Sequence, residues 1–410
     1  MSFEKMINEL KNATYTSIDL MSKDIQDEGA QELAEALKGN NSIVSINLYD
    51  NCIRDEGAET LAEALKFNQS ITSINLSSNH IGDKGVKVIA EVLKVNPSIT
   101  SINLSFNIIS DEGVKVLAEA LKDNKSLLSI NLRYNEISEK GAKELAEALK
   151  VNTSITSIDL SGNRIKIEGI KALAEALKEN RVISSINLSS DYINDESIKI
   201  LAEVLEVNKS LTSIDFSGEN ISIEGIKALA NVLKINKSIL SFNLNYINMS
   251  IEGIKVLAEA LKVNKSITSI NLLSNNINDE GIAALAEALI VNKSLTSIDL
   301  SLNAISDVGA QGLTEGLKNN QSIMSIVLEF NPIDRKVIKQ IDKSLGKNKE
   351  EHQKIIKTAE ILLMAKKRDG NVFKQLPKFV FFKILADTHQ NTEDKGYTPF
   401  TNYMSSRNNI

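Results

Sequence analysis

Residues 73–100 read SINLSSNHIGDKGVKVIAEVLKVNPSIT, and the chain then repeats the phrase. A Ser-Ile-(Asn/Asp)-Leu signal begins at Ser17, Ser45, Ser73, Ser101, Ser129, Ser157, Ser185, Ser213, Ser241, Ser269, Ser297 and Ser325, with Phe216, Phe242 and Val327 as the departures. That is twelve copies at a constant spacing of 28 residues. A period of this size marks a solenoid, in which no unit can bury its apolar face alone and stacking supplies the core.

Each copy has two halves of different period. Ile71, Ile74 and Leu76 point inward while Ser73, Asn75 and Ser77 alternate outward, the period of two of a short strand. Val86, Ile89, Ala90 and Leu93 then recur at helical spacing and make one apolar stripe. Asp83 is expected to cap the helix it opens, and Lys94 to complement the helix end. Asn96 stands where the helix should stop. Its column is Asn in every copy from Asn40 to Asn348, which predicts a left-handed terminus. A second column (Asn51, Asn79, Asn107, Asn135, Asn163, Asn275, Asn303, Asn331) falls where the chain leaves the strand. Backbone groups buried there need partners, and stacked side-chain amides predict a ladder. A glycine column through Gly85 predicts close packing at the helix entry.

On these residues the pattern LxxLxLxxNxL with a helical half resembles the leucine-rich repeat of the ribonuclease-inhibitor-like class, over residues 15–348. GIKALAEAL at 169–177, GIKALANVL at 225–233 and GIAALAEAL at 281–289 are also similar to the GALA-type repeats of bacterial effector proteins. The expected fold is an α/β horseshoe. Strands about 4.8 Å apart line the inside and helices about 9–10 Å apart the outside, so the array curves. Residues 1–14 read as an N-terminal capping half-repeat, since Phe3, Ile7 and Leu10 share a helical face. Residues 349–388 read as a helical C-terminal cap and 389–410 as a loose polar tail.

Composition narrows the function. Residues 1–333 carry 31 basic and 44 acidic side chains, net -13, and residues 334–410 carry 16 and 9, net +7, which together give the chain's -6. An acidic array is a poor match for nucleic acid. Cys52 is the single cysteine, so no disulfide forms within the chain and a reducing, cytoplasmic setting is expected. His80, His352 and His389 lie in separate segments and read as surface residues rather than metal ligands. No apolar run long enough for a leader or a membrane span is present, and neither phosphate loop, HExxH nor nucleophile elbow occurs. A monomer without cofactor or catalytic site is expected.

Function is then sought where copies differ. The Asn ladder breaks at Asp191, Glu219 and Ile247, Ser197 replaces a glycine, and Ile167, Ile223 and Ile251 replace the capping Asp. The breaks fit drift at tolerated positions, or else a binding zone or a change of curvature. The outward strand columns are nearly constant Ser and Asn or Asp, either a solvated strand face or an acid-dotted docking wall. The columns after the strand vary, and there Tyr49, Phe106, Arg133, Tyr134, Arg164, Tyr192, Tyr246, Leu302 and Phe330 are the candidate protein-binding residues. Arg133, Tyr134 and Arg164 fall in adjacent copies and form the sharpest cluster. At the other end, Leu376, Pro377, Phe381, Ile384 and Leu385 resemble the first helix of an F-box, which implies a cullin adaptor as partner and a ubiquitin-ligase substrate receptor as role. An amphipathic cap is the simpler reading of the same residues. The repeats are also similar to those of Ran-pathway GTPase activators, whose C-terminal tail is acidic where this one is basic. The leading expectation is a non-enzymatic interaction scaffold, an effector or cytosolic adaptor, with a protein partner on the concave face.

Overall fold

The computed structural model describes residues 7, 15–190, 192–218 and 221–365, with side chains to residue 357. Among them are twelve three-residue strands: β1 (Ser17–Asp19), β2 (Ser45–Asn47), β3 (Ser73–Asn75), β4 (Ser101–Asn103), β5 (Ser129–Asn131), β6 (Ser157–Asp159), β7 (Ser185–Asn187), β8 (Ser213–Asp215), β9 (Ser241–Asn243), β10 (Ser269–Asn271), β11 (Ser297–Asp299) and β12 (Ser325–Val327). A helix follows each: α1 (Gln26–Lys38), α2 (Asp55–Phe67), α3 (Asp83–Val95), α4 (Asp111–Asp123), α5 (Glu139–Val151), α6 (Ile167–Glu179), α7 (Asp195–Val207), α8 (Ile223–Ile235), α9 (Ile251–Val263), α10 (Asp279–Val291), α11 (Asp307–Lys318) and α12 (Arg335–Ala365). The strands form one parallel sheet in sequence order. Their register sets Ser on Ser and Ile on Ile, as in Ser73 beside Ser101 and Ile74 beside Ile102.

The chain divides into two compact units, residues 1–338 and 339–410. Within the first, the expected two layers form an α/β leucine-rich-repeat solenoid, the parallel sheet making one layer and the helices the other. Ile71, Ile74, Leu76, Ile81, Val86, Ile89, Ala90 and Leu93 are all buried. Each large apolar side chain buried in this way contributes about 1.5–3 kcal/mol, so apolar stacking dominates the stability of the array. Within the second unit, the described part is helical from its start to Ala365.

Polar columns stitch neighbouring copies together. Asn79 donates through Nδ2 to the carbonyls of Leu48 (3.0 Å), Leu76 (3.0 Å) and Ser77 (3.1 Å). Its Oδ1 accepts from the amides of Asn51 (3.1 Å) and Ile53 (2.9 Å), so the expected ladder is present and each rung reaches back one copy. At the break, Ile247 is buried and donates its amide to Asn275 Oδ1 at 3.2 Å. A locally rearranged turn at Ile247 is not specific to that break. Asn248 there is left-handed (φ +52°), but so are Cys52 (+56°) and Asn276 (+54°) beside intact rungs. Asp191 and Glu219 lie outside the described residues.

Two expectations about helix ends are corrected. Asn96 is extended (φ -91°, ψ 113°), not left-handed. The column is Asn because both ends of the amide are used: Asn68 donates to Leu37 O (3.1 Å) and Asn40 O (2.7 Å) of the preceding copy and accepts from the amides of Ser70 and Ile71 (3.0 Å each). In the last copy the helix does not stop at Asn348, because α12 runs through it to Ala365. The helix-start Asp, in turn, caps the following helix rather than its own. Asp55, at the start of α2, accepts from the amides of Gly82 (2.7 Å) and Gly85 (2.9 Å) at the start of α3. This explains the glycine column, since a Cβ on Gly85 would sit 2.7 Å from Asp55 Oδ1. Two smaller corrections follow. Ser77 is buried rather than outward, and His352 is buried rather than on the surface. His389 and most of residues 1–14, Ile7 excepted, lie outside the described residues.

Candidate functional site

The constant strand face has internal work. Asn75 Oδ1 accepts from the Ser77 amide (3.1 Å) and hydroxyl (2.6 Å), and Asp159 Oδ1 from the Ser161 amide (2.9 Å). Only the side-chain oxygen is needed to hold the bend after the strand, so Asn and Asp interchange freely there. That favours the structural reading of the acid-dotted wall and leaves the variable columns as the free surface.

The nine nominated residues occupy three of those columns. Tyr49 and Arg133 follow the buried Leu that ends the strand signal, and Phe106, Tyr134, Tyr246, Leu302 and Phe330 come one residue later. Arg164 and Tyr192 are two residues further on. The middle column is left-handed: Phe106 +54°, Tyr134 +47°, Tyr246 +56°, Leu302 +54° and Phe330 +58°. Large side chains rarely adopt that conformation, and Gly162 (φ +66°) occupies the column without that conflict. The positions therefore hold bulky residues against local preference, which is the mark of a functional or packing demand.

The structure brings three of the nine into one cluster. Strands β4, β5 and β6 set Phe106, Tyr134 and Gly162 side by side. The Phe106 amide donates to Arg133 O and the Tyr134 amide to Ser161 O, both at 2.8 Å. The Phe106 and Tyr134 rings lie 4.6 Å apart, centroid to centroid, tilted by 32°. Arg133 Cζ lies 4.7 Å from the Tyr134 centroid and 6.0 Å from that of Phe106, within the range of cation–π attraction. Tyr134 covers Gly162 so closely that a Cβ there would meet its Cδ1 at 2.6 Å. In Arg133's own column the neighbours are Ser105 and Ser161, both buried, whose small size leaves the guanidinium room to lie against the rings. Phe106 and Tyr134 nonetheless remain 47% and 46% exposed.

The other nominees stand apart from this cluster. Arg164 reaches Glu136 at 3.7 Å, an exposed pair of little energetic weight. Tyr49, Tyr192, Tyr246, Leu302 and Phe330 are exposed single residues in other copies. Leu376, Pro377, Phe381, Ile384 and Leu385 lie outside the described residues. Two features escaped the sequence reading. Gly162 is the floor of the cluster, and a glycine following Tyr134 in the same column was the available signal. The residue before the helix-end Asn is apolar and more than half exposed at Phe67, Val95, Val151, Val207, Ile235, Val263 and Val291, a row on the opposite layer from the strands.

Titration is perturbed mainly on helix surfaces. Lys122, for example, is held above its usual value by its hydrogen bond to Glu119, an exposed pair. Asp279 is held below its usual value by the Ser306 hydroxyl, against a smaller burial effect, with the amides of Ser306 and Gly309 adding to it. Among the described residues no group of three or more His, Cys, Asp and Glu could hold a metal, and no helix is long and apolar enough to cross a membrane.

Seven stretches, residues 39–62, 67–90, 95–118, 123–146, 151–174, 263–286 and 291–313, match the family model described as Leucine Rich repeat. The array is a leucine-rich-repeat solenoid. Five further copies in the array, including those at β7, β8 and β9, keep the fold while departing from that model's wording. No curated protein matches the leucine-rich-repeat chain. Among solved structures it is similar to the actin-binding site 2 of leiomodin-1 (23% identity, TM-score 0.30, covering 44% of this chain and 90% of that one). It is also similar to a chain in the complex of Rad7 and Elc1 from yeast (18%, TM-score 0.47, 82% and 86%). A third is the leucine-rich repeat-containing protein LegL7 from Legionella pneumophila (19%, TM-score 0.45, 70% and 90%).

Proposed function

We propose that this protein is a non-enzymatic interaction scaffold that takes a protein partner on its strand face, centred on Phe106, Arg133 and Tyr134. The observation that carries the reading is the half-exposed stack of two aromatic rings and an arginine on a sheet whose constant Asn/Asp column is occupied internally. Tyr, Phe and Arg on a pre-ordered surface give much of their contact energy at little ordering cost. The GALA-like wording of the helices supports a role as an effector or cytosolic adaptor.

A photo-crosslinking residue placed at Phe106 is expected to capture a partner that the same group at Glu91, on the helix layer, does not. Replacing Arg133 and Tyr134 together by Ala is expected to weaken that capture at least about tenfold while helix and strand content stay unchanged. Equal crosslinking from both positions, or capture indifferent to the double substitution, would sink the reading.

A further inference from the structure

Arg133 is held in an unusual way. Its Nε is buried and has no hydrogen-bond partner. Among the described residues no carboxylate lies within ion-pair distance of its guanidinium, although acidic side chains outnumber basic ones by 44 to 31 over residues 1–333. Asn131 Oδ1, in the same copy, accepts from Arg133's own backbone amide at 2.9 Å. Arg164, the cation of the adjacent copy, stands apart from the cluster and is turned to Glu136. Two aromatic rings thus position one guanidinium whose donors are not consumed inside the fold. A planar fork of N–H donors matches a carboxylate bidentately, and an aromatic platform fixes the plane of that fork before the ligand arrives.

We propose that the Phe106–Arg133–Tyr134 cluster recognises one acidic side chain, an Asp or Glu, of a protein partner, with the partner's adjoining apolar side chain lying on the exposed ring of Phe106. The carboxylate takes the terminal Nη atoms end-on, because Nε is buried. The charge balance selects this chemistry. One uncommitted cation neutralises one carboxylate, whereas a phosphate brings about two negative charges to a net -13 array with a single arginine to meet them. The inference rests on the strand face being the binding face, as proposed above.

The test is selection of a displayed library of random peptides on the full chain, followed by synthesis of the enriched sequences. Enriched peptides are expected to share an Asp or Glu. Changing that residue to Asn or Gln should weaken binding roughly thirtyfold or more, and Arg133→Met, which keeps the aliphatic stem, should do the same. The two changes together should cost little beyond either alone. Arg133→Lys keeps the charge without the fork, so it should recover only part of the loss. Circular dichroism of each variant checks that the fold persists. Peptides that lose binding with Tyr134→Ala yet need no acid overturn the carboxylate assignment and leave the strand-face reading standing. Peptides indifferent to both Arg133→Met and Tyr134→Ala, or no enrichment at all, overturn both. Tighter binding when phosphoserine replaces the acid would reassign the site to a phosphopeptide.

Discussion

Two sets of helices in this array begin in different ways. Helices α2, α3, α4, α5, α8 and α11 receive their cap from the copy before, through Asp27, Asp55, Asp83, Asp111, Asp195 and Asp279. In helices α7, α9 and α10 the helix's own N-cap serves the amide three residues on: Asn194 Oδ1 accepts from the Ser197 amide (3.0 Å), Ser250 Oγ from Gly253 (3.1 Å) and Asn278 Oδ1 from Gly281 (3.1 Å), whereas the local serine caps of α4, α5, α8 and α11 reach only the amide two residues on and add to the donated one. The residues missing from the preceding copies are the ones noted as breaks, Ile167, Ile223 and Ile251. The loss of a donated cap is matched each time by a local one. Ser197 belongs to the same exchange, since Ile167 rather than an Asp precedes it and no carboxylate needs the space that glycine leaves elsewhere. Capping therefore accounts for the helix-start breaks at Ile167, Ser197, Ile223 and Ile251. They also lower the coupling between copies, because a cap drawn from a neighbour is lost when the neighbour unfolds and a local cap is not.

The comparison can be broken most severely at the ladder, whose Asn column both sets share outside Asp191, Glu219 and Ile247. Asn79→Ala leaves the carbonyls of Leu48 and Leu76 and the amides of Asn51 and Ile53 without their side-chain partner. Urea unfolding is expected to show a loss of about 3 kcal/mol. Next comes the glycine column. Gly85→Ala drives a Cβ against Asp55 Oδ1 and should cost about 2 kcal/mol, whereas Gly281→Ala, whose nearest obstacle is Ile277 Cγ2 at 3.1 Å, should change stability by less than about 1 kcal/mol. Equal effects would remove the donated cap as the reason for the glycines.

The caps themselves should be worth about 1 kcal/mol each. Asp55→Ala and Asn194→Ala are then expected to have similar total effects in different places. Hydrogen exchange should quicken at Gly82 and Gly85 of the next helix in the first case, and at Ser197 of the same helix in the second. The smallest effect is one of pH. Asp279 has a lowered folded pKa, so its contribution is full above the unfolded value near about 3.9 and is lost as pH falls through the lower folded value. The stability difference between the native chain and Asp279→Asn should shrink below about pH 4.

Much of the site was visible in the chain as written. Phe106, Arg133 and Tyr134 stood out as large residues in adjacent copies, in variable columns where the flanking copies carry Ser or Gly. Their mutual stacking was not visible, because ring contact depends on the left-handed turn at Phe106 and Tyr134 and on the missing Cβ of Gly162. Arg164 shows the opposite case. It lies in the adjacent copy, yet three extra residues of backbone after the Arg133 position carry it to Glu136 instead.

The period of 28 by itself determined that this protein is a stack of strand–helix units, since only stacking can bury the apolar stripe of each. It also determined which columns are polar. Which copy each polar side chain serves was decided only by the tertiary structure. Residues 27 to 31 positions apart in sequence become immediate neighbours across the stack, so Asp55 holds the helix after its own and Asn68 the helix before it. The same stacking set one arginine across two rings and left its charge unanswered.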